Sequence, residues 1–111
     1  MIAVIFEVIP KAEYQDEYFH IAAELKKTLL KMDGFISIER FQSLTDINKL
    51  LSLSFWQDEA SVKKWRLQTC HRDAQEKGKS KIFGHYRLRV ANVNRDYTMI
   101  DRAQTPDDIS Q

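Results

Sequence analysis

The sequence predicts an α+β domain of the ferredoxin-like type, in which two helices cover one face of a four-stranded antiparallel sheet. Four short segments are rich in β-branched and aromatic residues or alternate between apolar and polar residues, as strands do. Two longer segments have helical features, so the order along the chain is βαββαβ. The strands are predicted at 2–9, 35–42, 50–56 and 85–93, and the helices at 13–32 and 58–78.

The first strand and the first helix have the clearest signals. The run IAVIFEVI stops at Pro10 and is too short for a helix of comparable burial. From residue 13 to residue 32, apolar residues recur every three or four positions, which predicts one buried stripe. Acidic residues crowd the first half of this segment and lysines the second half, as the helix dipole favours. Gly34 can adopt the left-handed conformation that often ends a helix.

The remaining elements follow from alternation and capping. FISIERFQ and LLSLSFW both alternate and are joined by turn residues at 43–48, which predicts a β-hairpin. Asp58 has the position of a helix N-cap, and the second helix is predicted to run to about Gly78. HYRLRVANV alternates again as the last strand. One compact domain is therefore predicted at 1–96, with a polar tail at 97–111.

Composition and charge exclude several classes of protein. The 17 basic and 16 acidic residues leave a net charge of +1 and are interspersed, unlike a nucleic-acid-binding surface or a polybasic membrane anchor. The single cysteine, Cys70, cannot form an internal disulfide, and no Cys/His pattern has zinc spacing. The first apolar run has no preceding positive charge and is too short for a signal peptide or a membrane span. We therefore expect a cytoplasmic protein without a metal site.

Alternation also divides each strand between two faces of the sheet. The helices are expected to cover the more apolar set of side chains on the last two strands, namely Leu51, Leu53, Phe55, Tyr86, Leu88 and Val90. The other face would carry a semi-polar set, namely Ser52, Ser54, Trp56, Arg87, Arg89, Ala91, Ala3, Ile5 and Glu7. Such a surface is still too apolar to face water, which predicts a homodimer formed through the open sheet face. Trp56, at a strand end, is interpreted as an anchor of the hairpin or of that interface.

Four segments, taken in order along the chain, are similar to those of a known family: DGFISIERF, SFWQDEASVKKW, CHRDAQEKGK and HYRLRV. These segments closely resemble the antibiotic biosynthesis monooxygenase (ABM) family of dimeric α/β-barrel proteins, over about residues 1–96. The family includes monooxygenases of polycyclic or quinol substrates that use no cofactor, haem-degrading enzymes, and proteins without a known activity. The resemblance therefore implies the fold more strongly than the function.

The resemblance implies a pocket between the helices and the sheet. Its expected lining is Trp65, Phe6, Phe55, Ile38, Leu53 and Tyr86. His71 would act as the catalytic base and Arg40 would stabilise the oxyanion of a small aromatic or quinol-type substrate, held next to O2 without metal or cofactor. Haem degradation of the family's known kind is disfavoured, because Gln75 stands at the expected histidine position and the first strand has no asparagine.

Several of these residues also have a purely structural interpretation. Trp65 has helical spacing from Val62 and suits a core position better than a pocket wall. His71 lies among polar residues, as on a solvated helix surface, and Cys70 suits a small buried apolar position better than a nucleophile. Arg40 shares the parity of Ile36 and Ile38, which directs it to the helix side; there it either extends to solvent or faces an anion.

Three functions remain open on the sequence. The first is a monooxygenase without cofactor that acts on an aromatic or quinol-type compound. The second is a non-catalytic homodimeric module that binds a small apolar molecule or responds to stress. The third is a structural dimer whose core has no cavity for a ring compound.

Overall fold

The structure is a computed structural model that describes residues 1–75 and 83–106, without the side chains of residues 69–75 and 83. Its strands are β1 (Ile2–Pro10), β2 (Phe35–Gln42), β3 (Leu50–Trp56) and β4 (Phe83–Asn92). Its helices are a short 3-10 helix (Ala12–Tyr14), α1 (Gln15–Leu29) and α2 (Glu59–Gln75). The sheet has the order β2–β3–β1–β4, and all neighbouring strands are antiparallel. The predicted ferredoxin-like fold is thus confirmed.

Two local features shape the start of α2 and its contact with the start of β2. Asp58 is the N-cap of α2, and its Oδ1 accepts hydrogen bonds from the Ser61 N–H and the Ser61 hydroxyl, each at 2.8 Å. These bonds lower the pKa of the Asp58 carboxyl. Gly34 has φ +81°, and its carbonyl accepts the Gln57 N–H at 2.8 Å. A Cβ at Gly34 would lie 2.6 Å from the Ser61 Cβ, so glycine is required both by conformation and by space.

The strand register shows which face of the sheet the helices cover. Directly paired residues of antiparallel strands share a face. Ile2 pairs with Trp56, and both belong to a buried cluster with Leu29 of α1 and Val62 of α2. The helix-covered side of β1 and β3 therefore consists of Ile2, Val4, Phe6, Val8, Leu50, Ser52, Ser54 and Trp56.

The predicted face of β3 is therefore wrong, whereas the predicted faces of β1 and β4 agree with the register. Leu53 pairs with Ile5 and Phe55 pairs with Ala3, so both side chains lie on the side that the helices do not cover. Alternation identifies the residues that share a face, but it does not show which face is covered. On β3 the large end residues Leu50 and Trp56 contact the helices, and two small serines lie between them.

We call the uncovered side the open face. Its apolar side chains come from all four strands: Ala3, Ile5, Ile9, Phe41, Leu51, Leu53, Phe55 and Ala91. Glu7, near the centre of this face, forms ion pairs with Lys49 at 3.4 Å and with Arg89 at 3.3 Å. The face is thus more apolar than predicted, and its Glu7–Arg89 pair already forms within one chain.

Trp56 is the largest fully buried side chain among the described residues, at 1% exposure. Its ring contacts Phe35 and Trp65, with ring centroids 5.3 Å and 6.3 Å away. Its indole N–H donates to Ser54 Oγ at 3.0 Å, so the polar end of the ring is satisfied within the core. The interpretation of Trp56 as an interface anchor is wrong, because its side chain joins both helices to the sheet.

Beyond β4 the chain continues through residues 93–106 without helix or strand. Its start is held by a hydrogen bond from the Val93 N–H to the Met1 carbonyl at 2.9 Å. Within the described ranges, no helix combines the length and the apolar character needed to cross a membrane.

Candidate functional site

Arg40 lies on the helix-covered side, as its parity predicts, and packs under α1. It pairs with Ser52, and one Nη donates to the Ala22 carbonyl of α1 at 3.3 Å. Its Nε is buried and has no hydrogen-bond partner in the part of the chain that the structure describes. A buried guanidinium N–H without a partner is costly, so this atom is suited to an anionic or carbonyl oxygen of a ligand.

Tyr18 of α1 is the phenol next to Arg40. The side chain is buried, in a cluster with Val8 and Leu50. Burial raises the pKa of the Tyr18 hydroxyl above 10.0, although the charge of Arg40 and a hydrogen bond to it oppose the shift. Tyr18 therefore stays a neutral phenol at physiological pH and helps to orient the guanidinium. In the sequence, Tyr18 belongs to the apolar stripe of the first helical segment. Its hydroxyl within that stripe is the one local sign of a polar partner in the core.

Two of the predicted lining residues, Ile38 and Trp65, lie in the core. Both pack against the cluster that contains Trp56, Ile2 and Val62. The structural interpretation of Trp65 accounts for these contacts, since its ring stacks at an angle of 32° on Trp56. Trp65 is half-buried.

Phe6 and Tyr86 also lie on the helix-covered side, with ring centroids 5.8 Å apart. Phe6 pairs with Ser52 on one side and with Leu88 on the other, and Ser52 pairs with Arg40. These four residues cross the sheet in one line that we call the Phe6 row, Arg40–Ser52–Phe6–Leu88. The row spans about 14 Å, at about 4.8 Å per strand. It has a cationic end under α1 and an apolar end on β4.

Leu53 and Phe55 do not join this set. The register places both on the open face, so the expectation that they line a space beneath the helices is wrong. Their predicted role fails for the same physical reason as the predicted face of β3.

His71 lies in α2, at a position whose side chain is outside what the structure describes. At a rise of about 1.5 Å per residue, it lies about 13 Å along the helix from Val62. The same distance along a strand takes about four residues, as from Ile2 to Phe6. Nine residues also make two and a half turns, so His71 and Val62 occupy opposite sides of an ideal helix. The predicted role of His71 as a base therefore stays a prediction.

A cleft of about 300 Å³ separates the first half of α2 from β4. Its lining consists of Glu59, Ala60, Val62, Lys63, Arg66 and Val90. Tyr86, Leu88 and Val90 lie on the helix side of β4 but are exposed among the described residues. The cleft therefore extends into an exposed apolar strip along β4. Lys63 and Arg66 carry no signal in the sequence beyond their spacing of three on a helix. No group of three or more His, Cys, Asp or Glu within 1–75 and 83–106 is arranged to hold a metal ion.

The fold is that of a ferredoxin-like protein, with a cleft of about 300 Å³ between α2 and β4. The family model for antibiotic biosynthesis monooxygenases matches residues 1–77. The chain belongs to this family.

Proteins similar to this chain include the following two relatives and one solved structure. Jasmonate monooxygenase ABM of Pyricularia oryzae is 45% identical over 93 residues, which are 84% of this chain and 43% of that protein. The chain thus spans less than half the length of this relative. YqjZ of Bacillus subtilis, an uncharacterised protein, is 30% identical over 84% of this chain and 79% of its own length. The structure of Rv0793 from Mycobacterium tuberculosis has a TM-score of 0.75 at 11% identity, over 87% of this chain and 98% of that chain, which shows the fold alone.

Proposed function

We propose that the chain is a monooxygenase that oxygenates a small apolar compound between the helices and the Phe6 row. The main support is the 45% identity to a protein named jasmonate monooxygenase. Candidate substrates are aromatic or quinol-type compounds and cyclic ketones such as jasmonate. Each of these compounds forms a phenolate or an enolate when it loses a proton.

In the proposed reaction the substrate itself supplies the electrons, without metal or flavin. Loss of a proton gives the anion, and its carbon forms a bond to O2. The resulting hydroperoxide loses water and leaves a carbonyl group. A CH2 group and O2 thus become C=O and one H2O, so no external reductant is required. The protein would contribute a base, a cation near the oxyanion and a space without bulk water.

Arg40 is the proposed cation and His71 the proposed base. The buried Nε of Arg40, without a partner among the described residues, supports its role, and Ala22 and Tyr18 would hold the guanidinium in place. Phe6, Tyr86, Ile38 and Trp65 are the proposed apolar lining. The role of His71 is supported by the family resemblance alone, since its side chain is outside what the structure describes.

The test measures O2 consumption and product mass with a panel of hydroquinones and with jasmonate. Activity should appear as a gain of one oxygen with the loss of two hydrogens. Arg40→Ala should lower kcat about 100-fold or more, as expected for loss of an oxyanion partner, and Arg40→Lys should restore part of it. His71→Ala should lower activity at neutral pH, whereas the control His20→Ala, on the exposed side of α1, should not. Ligand binding without O2 consumption would favour the non-catalytic module, and no binding at all would favour a structural dimer.

We also propose that the open face mediates a homodimer. Its support is the apolar character of that face, where Leu51, Leu53 and Phe55 of β3 lie beside Phe41, which is 43% exposed. Monomeric proteins rarely leave a contiguous apolar sheet face in water. Two copies packed face to face would bury these side chains with closed twofold symmetry.

Light scattering coupled to size exclusion tests the dimer. The wild-type chain should elute as a dimer, and Leu53→Glu should shift it to a monomer, because a carboxylate would be buried at the centre of the interface. Leu44→Glu is the matched control, since Leu44 is fully exposed on the β2–β3 hairpin. A wild-type monomer at micromolar concentration, or equal behaviour of both variants, would contradict this interface.

A further inference from the structure

The α2–β4 cleft differs chemically from the rest of the helix-covered side. Its apolar lining residues are Ala60, Val62 and Val90, and its cationic lining residues are Lys63 and Arg66, which are exposed. These two cations are three residues apart on α2 and therefore lie on the same side of the helix. A volume of about 300 Å³ lies at the lower end of small-molecule sites, which suits a compound of one ring and a short chain.

Lys63 and Arg66 are exposed, and neither forms an ion pair with another described residue. The cleft also contains one acid, Glu59, a full turn before Lys63, so the lining keeps one net positive charge. An open cleft that combines apolar side chains with two cations is complementary to an amphiphilic anion.

The position of the cleft relates it to the proposed reaction site. Val90 follows Leu88 by two positions on the same side of β4, which is about 7 Å at about 3.3 Å per residue. A molecule anchored in the cleft can therefore extend along β4 and present an atom roughly 7–10 Å away over the Phe6 row. This length matches a carboxylic acid with a ring and a short side chain.

From these observations we infer that the cleft binds the carboxylate of an amphiphilic carboxylic acid substrate. Lys63 and Arg66 hold the carboxylate, and Val62 and Val90 contact the apolar body. That the bound molecule is a substrate rests on the proposed function. That the cleft binds it rests on the cleft alone. Lys63 and Arg66 are then specificity-determining residues, and uncharged analogues of the same shape bind less tightly.

The experiment compares jasmonate with its methyl ester, which has the same ring and lacks the charge. Calorimetric titrations give the affinity of the wild-type protein, of Lys63→Ala/Arg66→Ala, and of the control Lys64→Ala on the same helix. The double substitution should weaken jasmonate binding roughly fivefold to tenfold, because the two contacts are exposed to solvent. The ester should bind all three proteins equally, and added salt should weaken only the binding of the acid. Methyl NMR should show shifts of Val62 and Val90 on addition of jasmonate.

Equal affinity for acid and ester, or equal loss in the double variant and in Lys64→Ala, would overturn the inference. Shifts confined to methyl groups away from α2 and β4 would overturn it as well. The two proposals fail separately: charge-dependent binding without O2 consumption rejects the oxygenase and keeps the cleft site. O2 consumption that is insensitive to Lys63 and Arg66 rejects the cleft site and keeps the oxygenase.

Discussion

Trp56 and Ser54 allow a direct measurement of how the core is stabilised. Trp56 is 1% exposed and donates its indole N–H to Ser54 Oγ. Ser54→Ala leaves that N–H buried without its acceptor, which should cost about 1–3 kcal/mol in the free energy of unfolding. Trp56→Phe leaves the hydroxyl without its donor and also removes about 40 Å² of apolar surface, a further loss of about 1 kcal/mol at about 25 cal/mol per Å². We expect a total of about 2–4 kcal/mol for Trp56→Phe.

The double variant Trp56→Phe/Ser54→Ala removes both partners together. Its loss should be smaller than the sum of the single losses by about 1 kcal/mol, because no polar group is left unpaired. Urea unfolding followed by circular dichroism, at one fixed protein concentration, measures all three variants. Leu67→Ala, on the exposed side of α2, is the control and should change stability by less than about 0.5 kcal/mol. Additive losses in the double variant would refute the stabilising role of this hydrogen bond.

Three further predictions concern the backbone and two titrating groups. Gly34→Ala should destabilise the fold by about 1–3 kcal/mol, because of the positive φ and the contact with Ser61; Gly84→Ala is the control and should cost less in the same thermal melts. Partial burial would raise the pKa of Glu7, but Lys49 and nearby arginines lower it. The charged Glu7 therefore stabilises the fold above about pH 4.5, and this contribution is lost as the pH falls through the folded-state pKa. Glu7→Gln should flatten the decline of Tm over that range, and an unchanged decline would speak against these ion pairs. Burial raises the pKa of Tyr18, so the folded state keeps the phenol proton at a pH where the unfolded chain loses it, and stability should fall as the pH rises through 10. Tyr18→Phe should remove that fall in stability. A fall that persists in the variant would point to other groups.

Most of the secondary structure was predictable because its signals are local. The β2 and β3 bounds agree with the structure at both ends, since alternation and turn residues delimit them on either side. Asp58 was recognisable as an N-cap, and Gly34 as the residue that closes the first helical segment, because each acts on neighbours in the chain. The first helix is shorter than predicted: its regular part ends at Leu29, and its first residues form a 3-10 turn.

The candidate site was predictable only in part, because it depends on pairing between distant strands. Arg40, Phe6 and Tyr86 lie on the predicted side of the sheet, whereas Leu53 and Phe55 lie on the other. The sequence shows that alternate residues of β3 share a face, but both sets contain large apolar side chains, namely Leu51, Leu53 and Phe55 in one and Leu50 and Trp56 in the other. A two-sided strand gives no local preference between them.

By itself the amino-acid sequence determined the order of the elements, their approximate bounds and the family, since these depend on periodicity, caps and short motifs. The tertiary structure alone decided which set of β3 side chains lies under the helices, that Trp56 is the centre of the core, and that Tyr18 is next to Arg40. It also decided that Lys63 and Arg66 border a cleft against β4. The physical reason is that strand register and helix packing minimise exposed apolar surface over the whole chain at once, and no single segment contains that information.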